Sequence, residues 1–273
     1  MNFIRLFCNE MGKIMATVIA FANQKGGVGK TTTAINIGAS LAAIKRRVLL
    51  IDLDPQGNAG TGLGFNRASH SQSVYGVIMG TAAAADNILT TAVPNMHIMP
   101  ASMALAGAEI DLLDADNREF RLRDALATIS SHYDYILLDC PPALGYLTVN
   151  ALSAADYVVV PMQCEFYSLE GVQQLMMTIT AVRQKFNTKL AVLGFLLTMY
   201  DRRYGVTRAV DDDVRRTFGD RVFKTVVPRN VRVSEAPSFG KPALFYDFNS
   251  TGAQAYLRVA TEMIEKLEGK QNG

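Results

Sequence analysis

The residues with the clearest chemical potential lie at positions 25–33, which read Lys-Gly-Gly-Val-Gly-Lys-Thr-Thr-Thr. Glycines lack a Cβ and let backbone N–H groups approach phosphate oxygens, so this pattern is typical of a phosphate-binding loop. In such a loop Lys30 reaches the β- and γ-phosphates and the Thr31 hydroxyl coordinates Mg²⁺. The residues expected to contact a nucleotide here are Lys25, Gly26, Gly27, Val28, Gly29, Lys30, Thr31 and Thr32.

The loop departs from the common pattern at its start. The usual first glycine would fall at position 24, but Gln24 stands there and an additional lysine, Lys25, follows it. An ordinary solvated lysine would need no explanation, yet its place beside the loop favours a role with the nucleotide. Residues 17–22 form an apolar run typical of a buried strand, and apolar residues after the loop repeat at helical spacing. Strand, loop and helix therefore follow in the order that phosphate binding needs.

Two other apolar runs end in carboxylates. Residues 48–54 lead to Asp52 and Asp54, and residues 135–139 lead to Asp139, which precedes Cys-Pro-Pro. Continuously apolar strands are expected in a parallel sheet covered on both faces, so these carboxylates should emerge at its C-terminal edge, where ligands bind. Asp139 matches a Walker B aspartate, which holds Mg²⁺. The predicted metal-binding residues are Thr31, Asp54 and Asp139.

Two assignments at this edge stay open. Asp54 precedes Pro55 and could simply form a turn. Asp52 could support either Mg²⁺ or the loop that continues through residues 56–58, where Gln56 is a further candidate for nucleotide contact.

Four ordered segments together resemble the ParA/Soj family of chromosome- and plasmid-partitioning ATPases. These are residues 22–33, 52–58, 137–142 and 228–237, and the likeness runs from about Thr17 to about Leu267. It implies ATP and Mg²⁺ as cofactors, slow ATP hydrolysis stimulated by a partner, and an ATP-dependent homodimer. The catalytic residues that it implies are Lys25, which crosses to the partner's phosphates, Lys30, and Asp54, which orients the attacking water.

Base recognition is less clearly encoded. Thr188-Lys-Leu-Ala191 is the nearest candidate for a guanine-reading element, and it lacks the necessary carboxylate, so adenine is favoured. The resemblance places Pro228 and Asn230 beside the adenine, with main-chain and side-chain contacts both open.

Positive charge is concentrated in residues 201–241, which carry ten Lys and Arg against six Asp and Glu. This excess of +4 in a chain of net charge +2 is consistent with nucleic-acid binding, although a solvated surface would also explain it. The resemblance implies non-specific binding of double-stranded DNA and a ParB-like centromere-binding partner. The arginines predicted to contact DNA phosphates are Arg202, Arg203, Arg229 and Arg232.

Composition and patterning set the fold class. The 273 residues are 49% hydrophobic and 19% charged, as in a globular protein. Apolar runs alternate with helical patterns, which predicts an α/β fold, here a single-domain P-loop NTPase fold with a mostly parallel twisted sheet and helices on both faces. We predict this domain at 17–268, a loosely ordered extension at 1–16 and a tail at 269–273. Strands are predicted near 17–23, 48–53, 96–100, 134–139, 156–161, 191–198 and 223–228, and helices near 30–45, 118–131, 146–154, 168–186, 207–218 and 253–268.

Other classes of function fit less well. No apolar run reaches the ~18 residues of a membrane span, and the start does not resemble a secretory signal, which favours a cytoplasmic protein without membrane contact. The family resemblance implies association with the nucleoid. A MinD-like, membrane-cued ATPase would need a basic amphipathic C-terminal helix, but residues 253–267 carry two cations balanced by two carboxylates and favour core packing. A metabolic P-loop enzyme is disfavoured by the two-lysine loop and the basic segment. The three cysteines show no metal-ligand or disulfide spacing.

Overall fold

One sheet organises the described part of the chain, which comprises residues 15–66, 71–165 and 168–271 of the computed structural model. Its strands are β1 (Thr17–Phe21), β2 (Val48–Asp52), β3 (Leu89–Thr90), β4 (Met96–Met99), β5 (Tyr135–Asp139), β6 (Tyr157–Gln163) and β7 (Ala191–Thr198). They follow the order β3-β4-β2-β5-β1-β6-β7, and within these residues β3 alone pairs in antiparallel orientation. The predicted α/β fold with a mostly parallel sheet is confirmed.

Helices connect the strands and cover both faces of the sheet. In the described ranges they are α1 (Lys30–Ala43), α2 (Asn58–Gly62), α3 (Val74–Met79), α4 (Ala108–Asp111), α5 (Arg121–Ala127), α6 (Tyr146–Ala154), α7 (Ser168–Lys185), α8 (Gly205–Phe218), α9 (Val231–Glu235), α10 (Ala243–Tyr246) and α11 (Thr251–Gln271). Successive strand residues point to opposite faces. In β5, Leu137 joins the core layer formed with α1 and α11, whereas Ile136 and Leu138 join the layer formed with α5, α6 and α7.

The central strands bring the predicted site residues to one edge of the sheet. β5 lies between β1 and β2, and its last residue, Asp139, is in register with Phe21 of β1 and with Asp52 of β2. Because these strands are parallel, their C-terminal ends lie together. The loop of residues 22–29 leaves β1 at this edge and leads directly into α1.

The predicted strand near 223–228 is wrong. The structure has only isolated bridges there, between Phe195 and Val222 and between Tyr200 and Pro228. The N–H groups of Lys224 and Thr225 donate instead to the Glu262 carboxylate, at 2.6 Å and 3.0 Å, so they are not available to a strand ladder. The segment is buried against the sheet through Phe223 and Val227, which explains its apolar, strand-like composition.

Other boundaries differ by short stretches. The predicted helix near 118–131 is shorter, and a separate 3-10 turn follows at Ser130–His132. α2, α3, α4, α9 and α10 were not predicted, because four to six residues are too few for a helical period to stand out. Ala16, placed in the predicted extension, is buried and its N–H donates to the Ser130 hydroxyl at 2.9 Å. Residues 1–14 of that extension lie outside the described residues. α11 continues to Gln271, and residues 272–273 of the predicted tail lie outside the described part.

Candidate nucleotide site

The loop between β1 and α1 has the backbone of an anion-binding site. Gly27 and Gly29 adopt φ angles of +74° and +83°, in the left-handed region that disfavours other residues. α1 begins at Lys30, and its first turn contains no acidic residue. The N-terminal N–H groups and partial positive charge of the helix are therefore not neutralised by a side chain of that turn. This arrangement can bind phosphate oxygens through the backbone.

Two side chains from the neighbouring strands hold this loop in place. Gln163 at the end of β6 donates from Nε2 to the Gly27 carbonyl at 2.8 Å. The Thr198 hydroxyl at the end of β7 donates to the Val28 carbonyl at 2.8 Å. Neither residue was predicted from the sequence, although each ends an apolar strand with a polar group, which is the signal that identified Asp52 and Asp139.

Lys30 is the buried cation of the site. It is only 7% exposed, and its Nζ donates to the Lys25 carbonyl at 3.4 Å. Burial lowers the pKa of Lys30, while the nearby carboxylate of Asp139 is the strongest influence in the opposite direction, with Asp54 contributing as well. The structure thus brings Lys30, Asp54 and Asp139 together, as their sequence positions predicted.

Asp139 is a buried carboxylate beside the Lys30 cation. It is fully buried, and neither of its oxygens accepts a hydrogen bond from the described residues, although the Thr31 hydroxyl lies close enough to oppose the rise of its pKa. Burial and the neighbouring Asp52 raise the pKa of Asp139 well above its ordinary value. A buried anion of this kind is costly unless a cation compensates it. Together with the Thr31 hydroxyl, Asp139 therefore fits a Mg²⁺ ion, which proteins commonly bind through one or two carboxylates and the phosphates of a nucleotide.

Asp52, in contrast, is occupied by the protein itself. Its carboxylate accepts the N–H groups of Asp54 at 3.1 Å, Ala59 at 3.0 Å and Gly60 at 3.3 Å. Burial raises the pKa of Asp52 to about 7, and these three donors oppose the rise. Of the two roles left open by the sequence, the geometry favours support of the loop over direct contact with a metal.

Asp54 and Gln56 form the turn that follows β2. Asp54 is partly exposed and its Oδ1 accepts the Gln56 N–H at 2.9 Å, while the Gly57 N–H donates to the Asp54 carbonyl at 2.8 Å. The second carboxylate oxygen of Asp54 has no partner among the described residues and remains available for a water molecule or an ion. The Gln56 side chain is exposed beside it. The turn-forming role of Asp54 is thus present, and it does not occupy the whole carboxylate.

Lys25 is held by a residue that the sequence did not single out. Its Nζ lies 2.5 Å from Oε2 of Glu165, which follows β6, and the two side chains are 35% and 51% exposed. Exposed ion pairs of this kind contribute about 0–1 kcal/mol. The pair can therefore open at little cost in free energy. Because 140 residues separate the partners, no local pattern could have predicted it.

A small pocket opens next to the phosphate loop. It measures about 80 Å³, and its lining includes Gly29 of the loop and Thr32 of α1 together with Pro228 and Asn230, the two residues predicted to lie beside the adenine. The Asn230 side chain already accepts the Val233 N–H at 3.3 Å and donates to the Thr251 hydroxyl at 2.9 Å. Main-chain contact to the base is therefore favoured over contact through the Asn230 amide.

A larger cavity among the described residues lies elsewhere. It measures about 630 Å³ and is lined by α3, the alanine-rich segment 82–85 and α5. It contains no residue of the phosphate loop and no convergent set of anion-binding groups, so we place the nucleotide at the smaller pocket.

The four arginines predicted to contact DNA differ in their surroundings. Arg202 and Arg229 are exposed, and no described residue forms an ion pair with either side chain. Arg203 pairs with Asp201 at 2.5 Å, and Arg232 pairs with Glu235 at 3.0 Å and with Asp247 at 3.4 Å. Arg202 and Arg229 are therefore the better candidates for phosphate contact, a distinction that the charge count alone did not make.

Comparison with known proteins agrees with this site. Residues 16–192 match the family described as AAA domain. The chain is 54% identical to the chromosome partitioning protein ParA of Caulobacter vibrioides over 256 residues, covering 93% of this chain and 96% of that protein. It is 52% identical to the sporulation initiation inhibitor protein Soj of Bacillus subtilis, covering 91% and 98% of the two chains. A solved structure of cobyrinic acid a,c-diamide synthase from Mycobacterium smegmatis, with bound ADP and magnesium, superposes with a TM-score of 0.82 at 39% identity, covering 93% and 96%.

Fold and loop together define a P-loop NTPase of the two-lysine class, in which a lysine precedes the glycines as well as following them. The ParA and Soj relatives are 54% and 52% identical to this chain over 93% and 91% of its length, so the similarity is not confined to the phosphate loop. The chain belongs to the ParA/Soj family of chromosome-partitioning proteins.

Proposed function

We propose that this protein is an ATPase whose ATP-bound dimer binds double-stranded DNA without sequence preference and is reset by hydrolysis. The observation that carries the proposal is the placement of Lys30, Asp54 and Asp139 at one edge of the sheet, with Lys25 beside them in a weak ion pair. Related proteins of known structure hold ADP or an ATP analogue with magnesium, which supports ATP and Mg²⁺ as the cofactors.

Each group of the site has a role in this proposal. The backbone of residues 26–29 and Lys30 bind the phosphates, while Thr31 and Asp139 bind Mg²⁺, which neutralises charge on the β- and γ-phosphates. Asp54 uses its free carboxylate oxygen to orient the attacking water, and its other oxygen holds the turn. The carboxylate of Asp139 already lies close to the buried Lys30, so phosphate binding requires little rearrangement of the loop.

Lys25 is the group that would respond to a second protomer. A cation near the γ-phosphate stabilises the charge of the transition state, and one delivered across an interface makes hydrolysis depend on assembly. Glu165 holds Lys25 in the monomer, and an incoming phosphate would replace this exposed carboxylate. The homodimer would thus contain ATP in its interface, and hydrolysis would weaken it.

The relatives support a proposal for the cellular role. The ParA relative is named a chromosome partitioning protein and the Soj relative a sporulation initiation inhibitor protein, and their identities exceed that of the diamide synthase, 54% and 52% against 39%. We therefore favour partitioning of chromosome or plasmid DNA on the nucleoid, with a ParB-like partner that stimulates hydrolysis, over a small-molecule reaction. Within the described residues, no helix has the length and apolar character to cross a membrane.

A co-sedimentation experiment tests the proposal. Wild-type protein with ATP, ADP or no nucleotide is mixed with duplex DNA of unrelated sequences or with anionic liposomes. We expect ATP-dependent sedimentation with every DNA, a steep loss of affinity with salt through counterion release, and none with liposomes. Sedimentation with liposomes instead would favour a MinD-like membrane ATPase.

Charge-reversal variants locate the DNA surface. Arg202→Glu with Arg229→Glu should weaken binding to all sequences alike and reduce the salt dependence by about two phosphate contacts. Since Arg229 also lines the base pocket, ATP affinity is measured in parallel. Arg46→Glu is the matched control, because Arg46 is exposed and precedes β2 at the opposite edge of the sheet. Equal DNA binding by the double variant and this control would remove the basic segment from the interface.

A further inference from the structure

Residues 236–246 form a short segment between the nucleotide site and basic residues of the segment 201–241. It is attached to the nucleotide site at two points. The first attachment is a contact between two backbones. Gly240 adopts φ +63°, and a Cβ at this position would lie 2.6 Å from Gly64 Cα and 3.0 Å from Gly64 N. Any side chain at position 240 would therefore force the two loops apart.

The second attachment runs through the phosphate-loop helix. Asn36 of α1 is buried, and its Nδ2 donates to the Thr32 carbonyl at 2.7 Å. Its Oδ1 accepts the Ala243 N–H, also at 2.7 Å. One amide side chain thus links the first turn of α1 to the first residue of α10.

Gly64 in turn follows α2, which begins after the turn formed by Asp54 and Gln56. Asp52 holds this turn and α2 in place, because its carboxylate accepts the Ala59 and Gly60 N–H groups. At Gly62, α2 packs closely against its neighbours, since a Cβ there would lie 2.7 Å from Ile35 Cδ1 and 3.9 Å from Pro237 Cβ. A shift of the turn at Asp54 would therefore move α2 against segment 236–246, because close-packed elements transmit displacement.

The other side of segment 236–246 lies beside residues of the basic segment 201–241. Arg232 pairs with Glu235, immediately before the segment, and with Asp247, immediately after it. Lys241 is exposed within it. We propose that segment 236–246 is a coupling element that relays the state of the nucleotide site, through the Gly64–Gly240 and Asn36–Ala243 attachments, to the basic residues around it. This inference rests on the proposed function, because DNA affinity is its output.

The test compares two glycine substitutions with the same backbone cost. Gly240→Ala introduces the clash with Gly64. Gly80→Ala is the matched control, since Gly80 is also left-handed at φ +73° and its Cβ would meet only the flexible end of Arg121, at 3.1 Å. We expect wild type and Gly80→Ala to bind DNA more tightly with ATP than with ADP. In Gly240→Ala this ATP-to-ADP ratio should fall at least about fivefold, with ATP affinity unchanged.

A second readout does not depend on DNA. Hydrogen exchange of the 236–246 amides is followed on addition of a non-hydrolysable ATP analogue with Mg²⁺. Wild type and Gly80→Ala should show a nucleotide-dependent change in this segment, and Gly240→Ala and Asn36→Ala should lose it. Asn36→Ala removes the second attachment without a clash, so it decides the question if Gly240→Ala does not fold.

The two proposals fail in different ways. If wild type does not bind DNA, the proposed function is overturned, while hydrogen exchange still decides the coupling. If Gly240→Ala and Asn36→Ala keep both the ATP-to-ADP ratio and the exchange response of the control, the coupling is overturned while the ATPase proposal stands.

Discussion

Asp52 and Asp139 end neighbouring strands in the same register, yet their carboxylates have different uses. Asp52 accepts three backbone N–H groups, whereas neither oxygen of Asp139 accepts a hydrogen bond from the described residues, although Lys30 and Thr31 lie nearby. Hydrogen bonding, and not residue type, therefore distinguishes the two carboxylates. Asp52 is occupied by the protein backbone, and Asp139 is the one proposed to bind a ligand from outside the chain.

Asp54 supports a prediction at the residue scale. Asp54→Ala should slow single-turnover ATP hydrolysis by about 10²- to 10⁴-fold, because it removes the group proposed to orient water, and it should keep ATP binding through Lys30 and the loop. The variant should then accumulate as an ATP-bound dimer and stay longer on DNA. Asp54→Asn is the matched control, since it can still accept the Gln56 N–H. A slow Asn variant would assign the loss to the carboxylate, and a normal rate would assign it to the turn.

Glu165 supports a second prediction at this scale. Glu165→Gln removes the counter-charge of Lys25, so Lys25 should be released for contact across the interface. Since each exposed ion pair contributes at most about 1 kcal/mol and the dimer would contain two such sites, we expect the ATP-dependent dimer to tighten by no more than about 30-fold. Sedimentation velocity with ATP measures this. Glu119→Gln, which breaks the Arg118–Glu119 pair at 3.2 Å, is the control. A weaker dimer in Glu165→Gln would contradict the role of Glu165 in restraining Lys25.

At the scale of elements, the packing of the C-terminal helix α11 decides between two interpretations of it, a core-packing helix and a membrane anchor. Its apolar residues Tyr256, Val259 and Met263 are buried in the core layer with α1, and the Tyr256 hydroxyl lies 3.3 Å from the Thr33 hydroxyl. The predicted core-packing role is confirmed. Burial of this face leaves it unable to serve as an amphipathic membrane anchor without detaching from the sheet.

The beginnings of β2 and β5 are joined by an ion pair that makes a testable contribution to stability. Asp134 accepts the Arg47 N–H at 2.7 Å and its Nη2 at 2.8 Å, and the hydrogen bond from the Arg47 side chain is the main cause that lowers the pKa of Asp134. Asp134→Ala should lower the free energy of unfolding at pH 7 by about 1–2 kcal/mol. Because the folded-state pKa lies below the ordinary value of 3.8, this stabilisation is present above that pH and is lost as the pH falls through the folded-state pKa.

Urea unfolding at pH 7 and at steps down to pH 3 measures this difference. Asp124→Ala is the control, because Asp124 is exposed and pairs only with its neighbour Arg123 among the described residues. It should change the stability by less than about 0.5 kcal/mol. A difference between wild type and Asp134→Ala that did not shrink with falling pH would show that the ionised carboxylate is not its source.

At the scale of the whole molecule, assembly is the property that Lys25 should control. Lys25→Ala leaves Lys30 and the glycine loop intact, so it should bind ATP with near wild-type affinity. It should not form the ATP-dependent dimer, because the phosphates across the interface would lose their trans-acting cation. Light scattering with ATP, beside equilibrium ATP binding, makes the comparison. A dimer of normal stability would leave Lys25 without a role across the interface.

Much of the fold followed from local patterns. Continuous apolar runs predicted six of the strands that form the sheet, because strands buried on both faces need apolar side chains throughout. The long helices α1, α7 and α11 were found from their periodicity. The two-residue β3 and the short helices were not, and the segment near 223–228 was misread because Glu262, distant in sequence, takes its N–H groups.

The sequence by itself determined the phosphate loop, the acidic strand ends and the family, since each depends on residues close together in the chain. Only the tertiary structure decided which carboxylate lacks a hydrogen-bond donor and which is occupied, and that Glu165 pairs with Lys25. It also brought Gly64 against Gly240. These features depend on contacts between distant segments, and their energies come from burial and hydrogen bonding that exist only once the chain has folded.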